Sequence, residues 1–237
     1  MRINHICPYC MQEAFDNSGM QTLSFRLTPH MIHDSGVHEI TCPRGHDYSV
    51  VLSAAKYEIL FDVGMNALGD GYTRESVSSF ASSLERFYEF FIKFQIDNNG
   101  ISPTLAEQAW KIVSNQSERQ LGAFTYLYIC SLDKIPPELS TKDRGFRNKV
   151  IHKGYIPDVD EALGFGKIVY NHITTVISEL EVKYGHRKLY KFYSNQLPRG
   201  AADWVVDESA KSMNLSRTSE GTSVIDFDTM LKGFNRK

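Results

Sequence analysis

The sequence lacks any apolar run that approaches the ~20 residues of a membrane-spanning helix, and its first residues, MRINHICPYC, contain no apolar core of the kind found in signal peptides. It also lacks an excess of charge, because 26 Lys and Arg residues against 28 Asp and Glu residues leave a net charge of −2. With 42% hydrophobic and 23% charged residues, the composition is that of an ordinary globular protein. We therefore expect a cytoplasmic globular protein, for which overall charge indicates no nucleic-acid partner.

Cysteine is scarce, since the 237 residues include four, and this excludes a dense disulfide framework. One of them, Cys130, lies in an apolar helical segment and is expected to be a small buried hydrophobic side chain. The other three occur in two short motifs, CPYC at residues 7–10 and CPRGH at residues 42–46. Thiolate and imidazole groups at such spacings are the ligands that zinc prefers in a tetrahedral site.

These two motifs resemble the knuckles of zinc-ribbon and treble-clef modules, and the resemblance covers roughly residues 1–50. It implies a zinc ion held by Cys7, Cys10, Cys42 and His46. Such a site is structural, because four protein ligands leave no open position for a substrate. The three-residue gap in the second motif is one longer than usual, so other histidines are alternative fourth ligands: His5, His30, His33 and His38. A metal-free domain with buried thiols is the other interpretation.

Residues 1–50 have the pattern of a small β-rich module. Short alternating runs at residues 22–27 and 37–41 are separated by Gly and Pro, which is typical of strands joined by turns. A domain of this size buries too little apolar surface to be stable on its own, and a bound metal compensates for that.

Beyond residue 50 the hydrophobic spacing changes to that of helices, and no internal repeat or low-complexity segment occurs. Apolar residues recur at three- and four-residue steps in several segments, and this spacing predicts four or five amphipathic helices. The first four segments are residues 53–69, 73–98, 103–132 and 138–153, and the third of them is either one bent helix or two shorter ones. A long helix follows a capping box at Asp158 and Glu161. Short connections between them favour an antiparallel bundle over residues 51–185, and a mainly α fold class.

Residues 186–237 form a basic and aromatic C-terminal extension with no clear periodicity. Tyr190, Phe192 and Tyr193 alternate with Lys and Arg there. Such rings can stack on unpaired RNA bases, or they can dock the extension onto the bundle.

The segment RNKVIH at residues 147–152 carries the most specific chemistry in the chain. Arg147 offers a planar fork for a phosphate, Asn148 is a neutral hydrogen-bonding group beside it, and His152 is an imidazole able to accept and donate protons. Its surroundings are locally basic, with four further cations and a single acid in residues 141–155: Lys142, Arg144, Lys149, Lys153 and Asp143. These are the groups that metal-free cleavage of RNA requires.

The segment matches the R-x-x-x-x-H signature, with a polar residue after the arginine, and so resembles the HEPN family (higher eukaryotes and prokaryotes nucleotide-binding). The resemblance covers about residues 53–184. It implies a HEPN-like helical bundle, a metal-independent endoribonuclease for single-stranded RNA, and an active cleft at a homodimer interface. Similar members act as toxins or antiviral defence effectors that disable translation. For this chain we expect RNA, a second copy and a regulatory protein as partners, and no membrane. In this chain the resemblance implies His152 as acid and base, Arg147 on the phosphate and Asn148 orienting one of them, with no cofactor for catalysis.

Helix geometry suggests why a catalytic site built from Arg147 and His152 would need a dimer. At ~100° per residue, positions five apart diverge by ~140°, so Arg147 and His152 do not share one face of a regular helix. Two copies related by a two-fold axis would bring two arginines and two histidines into one cleft.

Other functions remain open from the sequence. The main alternative is a non-catalytic HEPN-like module that binds RNA, a nucleotide or a protein. A DNA-binding zinc module has less support, because residues 1–50 contain only three Arg and no Lys. Glu85 and Arg86 are a further polar pair that could face the cleft or the solvent, whereas Tyr155 receives no role.

Overall fold

A computed structural model describes residues 2–18, 27–198, 205–208, 213, 216–218, 221–223 and 225–234. The chain divides into two compact units. The first unit comprises Met1–Ala54 with Gln196–Ala210, and the second comprises Ala55–Asn195 with Lys211–Lys237. The fold is mainly helical, as expected, and residues of the C-terminal extension belong to both units.

The described residues of the first unit form small sheets and one helix. Its elements are β1 (Arg2–Ile6), α1 (Pro8–Ser18), β2 (Leu27–Met31), β3 (Val37–Thr41), β4 (Asp47–Leu52) and β5 (Val205–Glu208). Strands β1 and β2 pair antiparallel, while β4 pairs antiparallel with β3 and parallel with β5. The strand predicted at residues 37–41 is confirmed, whereas most of the other predicted run, 22–27, lies outside the described residues.

Helix α1 is an element that the alternating pattern did not predict. Pro8 occupies its first position, where the missing N–H costs nothing. The small core of the unit lies beside the start of this helix, and its buried members are Cys7, Ile40, Cys42, Tyr48 and Val50.

The second unit is a bundle of helices. They are α2 (Lys56–Gly69), α3 (Thr73–Asn98), α4 (Pro103–Val113), α5 (Ser117–Leu132), α6 (Thr141–Lys153), α7 (Val159–Tyr184), α8 (His186–Gln196) and α9 (Phe227–Phe234), with a short hairpin of β6 (Ser216–Thr218) and β7 (Gly221–Ser223). Helix α3 is central and packs against α2, α5, α6 and α7. Among the described residues, no helix is both long and apolar enough to cross a membrane.

Local caps determine where the helix that carries the RNKVIH segment begins and ends. The Ser140 hydroxyl accepts a hydrogen bond from the Asp143 N–H, and the helix ends at Gly154 with φ +69°. It therefore begins at Thr141 and not at residue 138 as predicted. The capping box at Asp158 and Glu161 is confirmed at the start of α7, and residues 103–132 form two helices.

The core of the bundle is rich in aromatic side chains, and small residues let the helices approach it. The largest fully buried rings are those of Tyr57, Phe61, Phe80, Phe87, Phe91, Phe94, Phe124 and Tyr128. Gly64 on α2 and Gly166 on α7 both face the ring of Phe80, where an added Cβ would lie 2.6 Å and 2.7 Å from ring carbons. Both glycines are therefore required by packing.

Two expectations from the sequence are wrong in this unit. Cys130 is exposed, because α5 buries the face of Gln120, Phe124 and Tyr128, and Cys130 lies ~200° round the helix from Tyr128. The start of the C-terminal extension is a helix, α8, whose Leu189 and Tyr193 are buried one turn apart.

The aromatic residues of α8 dock onto the bundle. Phe192 makes edge contacts with Phe90 and Phe94 at ring-centroid distances of 5.5 and 5.3 Å. The Tyr193 hydroxyl donates a hydrogen bond of 2.8 Å to the carboxylate of Glu58. These two rings serve packing, which favours the second of the two roles considered for them.

Candidate functional site

Three cysteines and one histidine converge in the first unit. Cys7 precedes α1, Cys10 lies in its first turn, Cys42 follows β3, and His46 precedes β4. The His46 Nδ1 lies 3.4 Å from the Cys10 Sγ and 3.7 Å from the sulfurs of Cys7 and Cys42. All four ligand atoms fall within 4.8 Å of one another.

Backbone geometry explains why the second motif tolerates its longer gap. The Gly45 N–H donates to the Cys42 carbonyl at 2.8 Å, and the Cys42 N–H donates to the His46 carbonyl at 3.0 Å. Gly45 has φ +86°, which favours glycine. The hairpin thus folds back at residues 43–45 and brings the thiol and the imidazole to the same side.

The cysteine thiols influence the pKa values of one another. Burial and the neighbouring Cys7 and Cys42 raise the pKa of Cys10 to about 11. Burial also opposes ionisation of Cys42, but hydrogen bonds from the backbone of His46 and Arg44 outweigh it and lower its pKa to about 7. Crowded thiolates repel one another unless a positive ion lies between them. The four side chains can hold a metal.

The carboxylate of Glu13 contacts the ring nitrogen of His46 that is not directed at the cysteine sulfurs. The Nε2 of His46 lies 3.4 Å from a carboxylate oxygen of Glu13, and the other oxygen of Glu13 lies 2.6 Å from Arg44. An imidazole that faces a metal with one nitrogen commonly donates its other N–H to such a carboxylate. Glu13, on α1, had no signal in the sequence that would have linked it to the site.

The four alternative histidines form a separate cluster. Their rings touch in the order His5, His30, His38, His33, with centroid separations of 4.9, 4.9 and 4.2 Å. Burial and the neighbouring His33 and His30 lower the pKa of His38 to about 4. In the part of the chain that the structure describes, no second group of three or more potential ligands brings its donor atoms as close as the cysteine and histidine set does.

In the second unit, Arg147 is held in a defined position. Its Nη1 donates to Oδ1 of Asn148 at 3.0 Å, and its Nη2 donates a short hydrogen bond to the carboxylate of Glu85 on α3. The Arg147 side chain is 21% exposed. Arg86, in contrast, bonds Glu89 at 2.6 Å and Gln120, so only Glu85 of that sequence pair reaches the segment.

His152 lies apart from Arg147 within one chain. It is exposed in the last turn of α6, and no other described residue forms a hydrogen bond or an ion pair with its side chain. Both residues lie within the helix Thr141–Lys153, where positions five apart diverge by ~140°. Tyr155 is engaged elsewhere, because its hydroxyl donates to Glu161 at 2.9 Å and the Lys149 ammonium lies 3.8 Å from its ring centroid.

A pocket of about 170 Å³ opens beside Arg147 and Asn148. Helices α3, α5 and α7 supply its apolar floor, and α6 supplies cations at its rim. The pocket could not be predicted from the sequence, because its lining comes from segments up to 84 residues apart, Ala81 to Phe165. The arrangement can bind an anionic group at the rim and an apolar ring below it. Comparison with known protein families, with curated proteins and with solved structures finds no match to this chain.

Proposed function

We propose that this protein is a metal-independent endoribonuclease whose active cleft forms when two copies pair and bring Arg147 and Asn148 of one subunit near His152 of the partner subunit. The observation that carries the proposal is the fixed guanidinium at the mouth of an apolar pocket. Of the five N–H donors of an arginine, two are used by Asn148 and Glu85, and three remain for a phosphate.

The chemistry follows from these groups. A neutral imidazole takes the proton of a ribose 2′-hydroxyl, and the oxygen attacks the adjacent phosphorus. The bond from phosphorus to the 5′-oxygen breaks, and a protonated imidazole gives that oxygen its proton. Arg147 stabilises the charge that develops on the phosphate. The products are a 2′,3′-cyclic phosphate and a 5′-hydroxyl, and no metal is needed.

One imidazole per site is enough for this scheme, because the proton that His152 takes from the 2′-hydroxyl is the proton that it returns to the leaving oxygen. The exposure of His152 in the single chain leaves it available to a partner subunit. Exposed lysines on α6, at positions 142, 149 and 153, add positive charge for the RNA backbone. A role as a toxin or antiviral effector would follow from such an activity.

For the first unit we propose a structural zinc ion at Cys7, Cys10, Cys42 and His46. The donor set of three sulfurs and one nitrogen is the one that zinc favours. Loaded protein should contain one zinc per chain by elemental analysis. Cys10→Ser should lose it, whereas Cys130→Ser, which changes an exposed thiol far along the chain, should retain it. Equal zinc content in both variants would refute the assignment.

The nuclease proposal is tested with zinc-loaded protein and a labelled single-stranded RNA in magnesium-free buffer. His152→Ala should lower the cleavage rate about 10²- to 10⁴-fold, the usual contribution of acid and base catalysis. His33→Ala, which removes an exposed imidazole from the other unit, is the matched control and should keep the wild-type rate. Mass spectrometry should find cyclic phosphate ends on the products.

The shared cleft is tested by mixing two inactive variants. In a mixture of Arg147→Ala and His152→Ala, half of the dimers pair unlike subunits, and each of these regains one complete site. Activity should return to at most about a quarter of the wild-type rate. Two variants that stay inactive together, although they form dimers, would rule out a composite site.

The second candidate is a non-catalytic module that binds RNA, a nucleotide or a protein. The observation that favours it is the separation of Arg147 from His152 in one chain, with the arginine already paired to Glu85. On this hypothesis wild type and His152→Ala bind RNA equally and neither cuts it.

A further inference from the structure

The pocket beside Arg147 has the size of a single ring system. Its volume is about 170 Å³, and an engineered protein cavity of about 150 Å³ accommodates benzene. Drug-sized ligands need roughly 300 Å³ or more. The floor is made of apolar and aromatic side chains, principally Ala81, Leu84, Tyr88, Leu121 and Phe165.

The rim of the pocket has both signs of charge. Arg144 and Arg147 lie on α6, and three carboxylates line the same opening. Two of these carboxylates are engaged by the arginines, since Glu85 bonds Arg147 and Glu138 lies 3.8 Å from Arg144. The third, Glu118, is exposed in the first turn of α5 and bonds only weakly to the neighbouring Ser117 at 3.4 Å.

These features match the parts of a nucleotide. The apolar floor suits the face of a base, the arginines suit its phosphate, and a carboxylate accepts hydrogen bonds from an exocyclic amino group. Uracil has no such amino group, whereas cytosine has one. A purely apolar ligand would gain nothing from the charged rim, and a free phosphate would leave the floor empty.

We propose that this pocket holds one base of the RNA substrate, next to the phosphate that Arg147 binds, and that it prefers a base with an exocyclic amino group. The inference rests on the proposed function, because that function places a phosphodiester at Arg147. It adds a source of sequence preference that the RNKVIH segment does not contain.

Binding of mononucleotides tests the pocket without any cleavage. Cytidine 3′-monophosphate and uridine 3′-monophosphate are titrated into the zinc-loaded full chain, with affinities read by calorimetry. The cytosine nucleotide should bind about tenfold more tightly than the uracil nucleotide. Cytidine without phosphate should bind more weakly than its phosphate, because it lacks the group that Arg147 contacts.

Two variants localise the site. Leu121→Trp fills the pocket and should weaken cytosine nucleotide binding at least about tenfold. Leu127→Trp makes the same change on the same helix, at a half-buried position that does not line the pocket, and should bind as the wild type does. If Leu121→Trp disturbs folding, Glu118→Ala removes the acceptor at an exposed position and should abolish the preference for cytosine over uracil.

The outcomes separate this proposal from the nuclease proposal. Nucleotide binding that Leu121→Trp abolishes, in a protein that does not cut RNA, supports the pocket and refutes the nuclease. RNA cleavage without nucleotide binding, and with the same base preference in Leu121→Trp, refutes the pocket alone. Equal affinity for the cytosine and uracil nucleotides refutes the proposed preference.

Discussion

Protonation of one buried histidine should control the acid stability of the helical unit. His172 on α7 is 5% exposed and lies among aromatic rings, with centroid distances of 5.6 Å to Tyr88 and 6.0 Å to Phe124. No described residue forms a hydrogen bond with its Nε2. Burial lowers its pKa from 6.5 to about 4, since a charged imidazole is poorly solvated there.

The lowered pKa of His172 determines both the direction and the size of its effect on stability as the pH changes. The unfolded chain binds a proton near pH 6.5 and the folded chain only near pH 4, so the unfolded state binds more protons between these values. Stability from this group is complete above pH 6.5, falls as the pH decreases and is lost below pH 4. A shift from 6.5 to about 4 corresponds to a loss of about 3 kcal/mol.

The variant His172→Leu removes the titrating group. Urea unfolding of wild type and variant is followed by helical circular dichroism at several pH values from 7.5 to 4.5. The contributions of the other titrating groups cancel when the free energy of unfolding of the variant is compared with that of the wild type at each pH. This difference should move in favour of the variant by about 2.5 kcal/mol over that range.

Phe124→Leu is the control, because it alters the same core without a titrating group. It should lower the free energy of unfolding by a similar amount at each pH. Parallel curves of stability against pH for wild type and His172→Leu would show that His172 is not held neutral by burial, and the reasoning would then be wrong.

Two further predictions concern the metal site and the packing of the bundle. Glu13→Gln should lower zinc affinity about 10- to 100-fold in a competition with a chelating dye, because it weakens the support of His46; an unchanged affinity would remove Glu13 from the site. Gly166→Ala should destabilise the protein by about 1–3 kcal/mol in urea unfolding, because its Cβ would meet the ring of Phe80 at 2.7 Å. Gly164→Ala on the same helix has nothing within 4 Å and should stabilise by about 0.5–1 kcal/mol. Equal effects of the two glycine changes would contradict the packing argument.

A metal bound at the four candidate ligands would stabilise the fold of the first unit. Its core contains few large apolar side chains, and two of its buried members, Cys7 and Cys42, are also candidate ligands. A bound ion would therefore replace core that a chain segment of this length cannot supply.

Local patterns in the sequence determined most of the helices. The three- and four-residue spacing, the capping box at Asp158 and the glycine at residue 154 act within one or two turns, so they can be identified without the rest of the fold. The metal set was also predictable, since its members occur in two short motifs. The local pattern does not predict helix α1, the exposure of Cys130 or helix α8, because which face of a short segment is buried depends on its neighbours.

Only the tertiary structure decided how the chemical groups meet. It placed Glu85 against Arg147 across a separation of 62 residues, set Glu13 behind His46, and assembled the pocket from four helices and a loop. The order of residues along the chain determines local conformation through short-range sterics and hydrogen bonds. Contacts between distant segments follow from how the helices pack, and no local pattern contains that information.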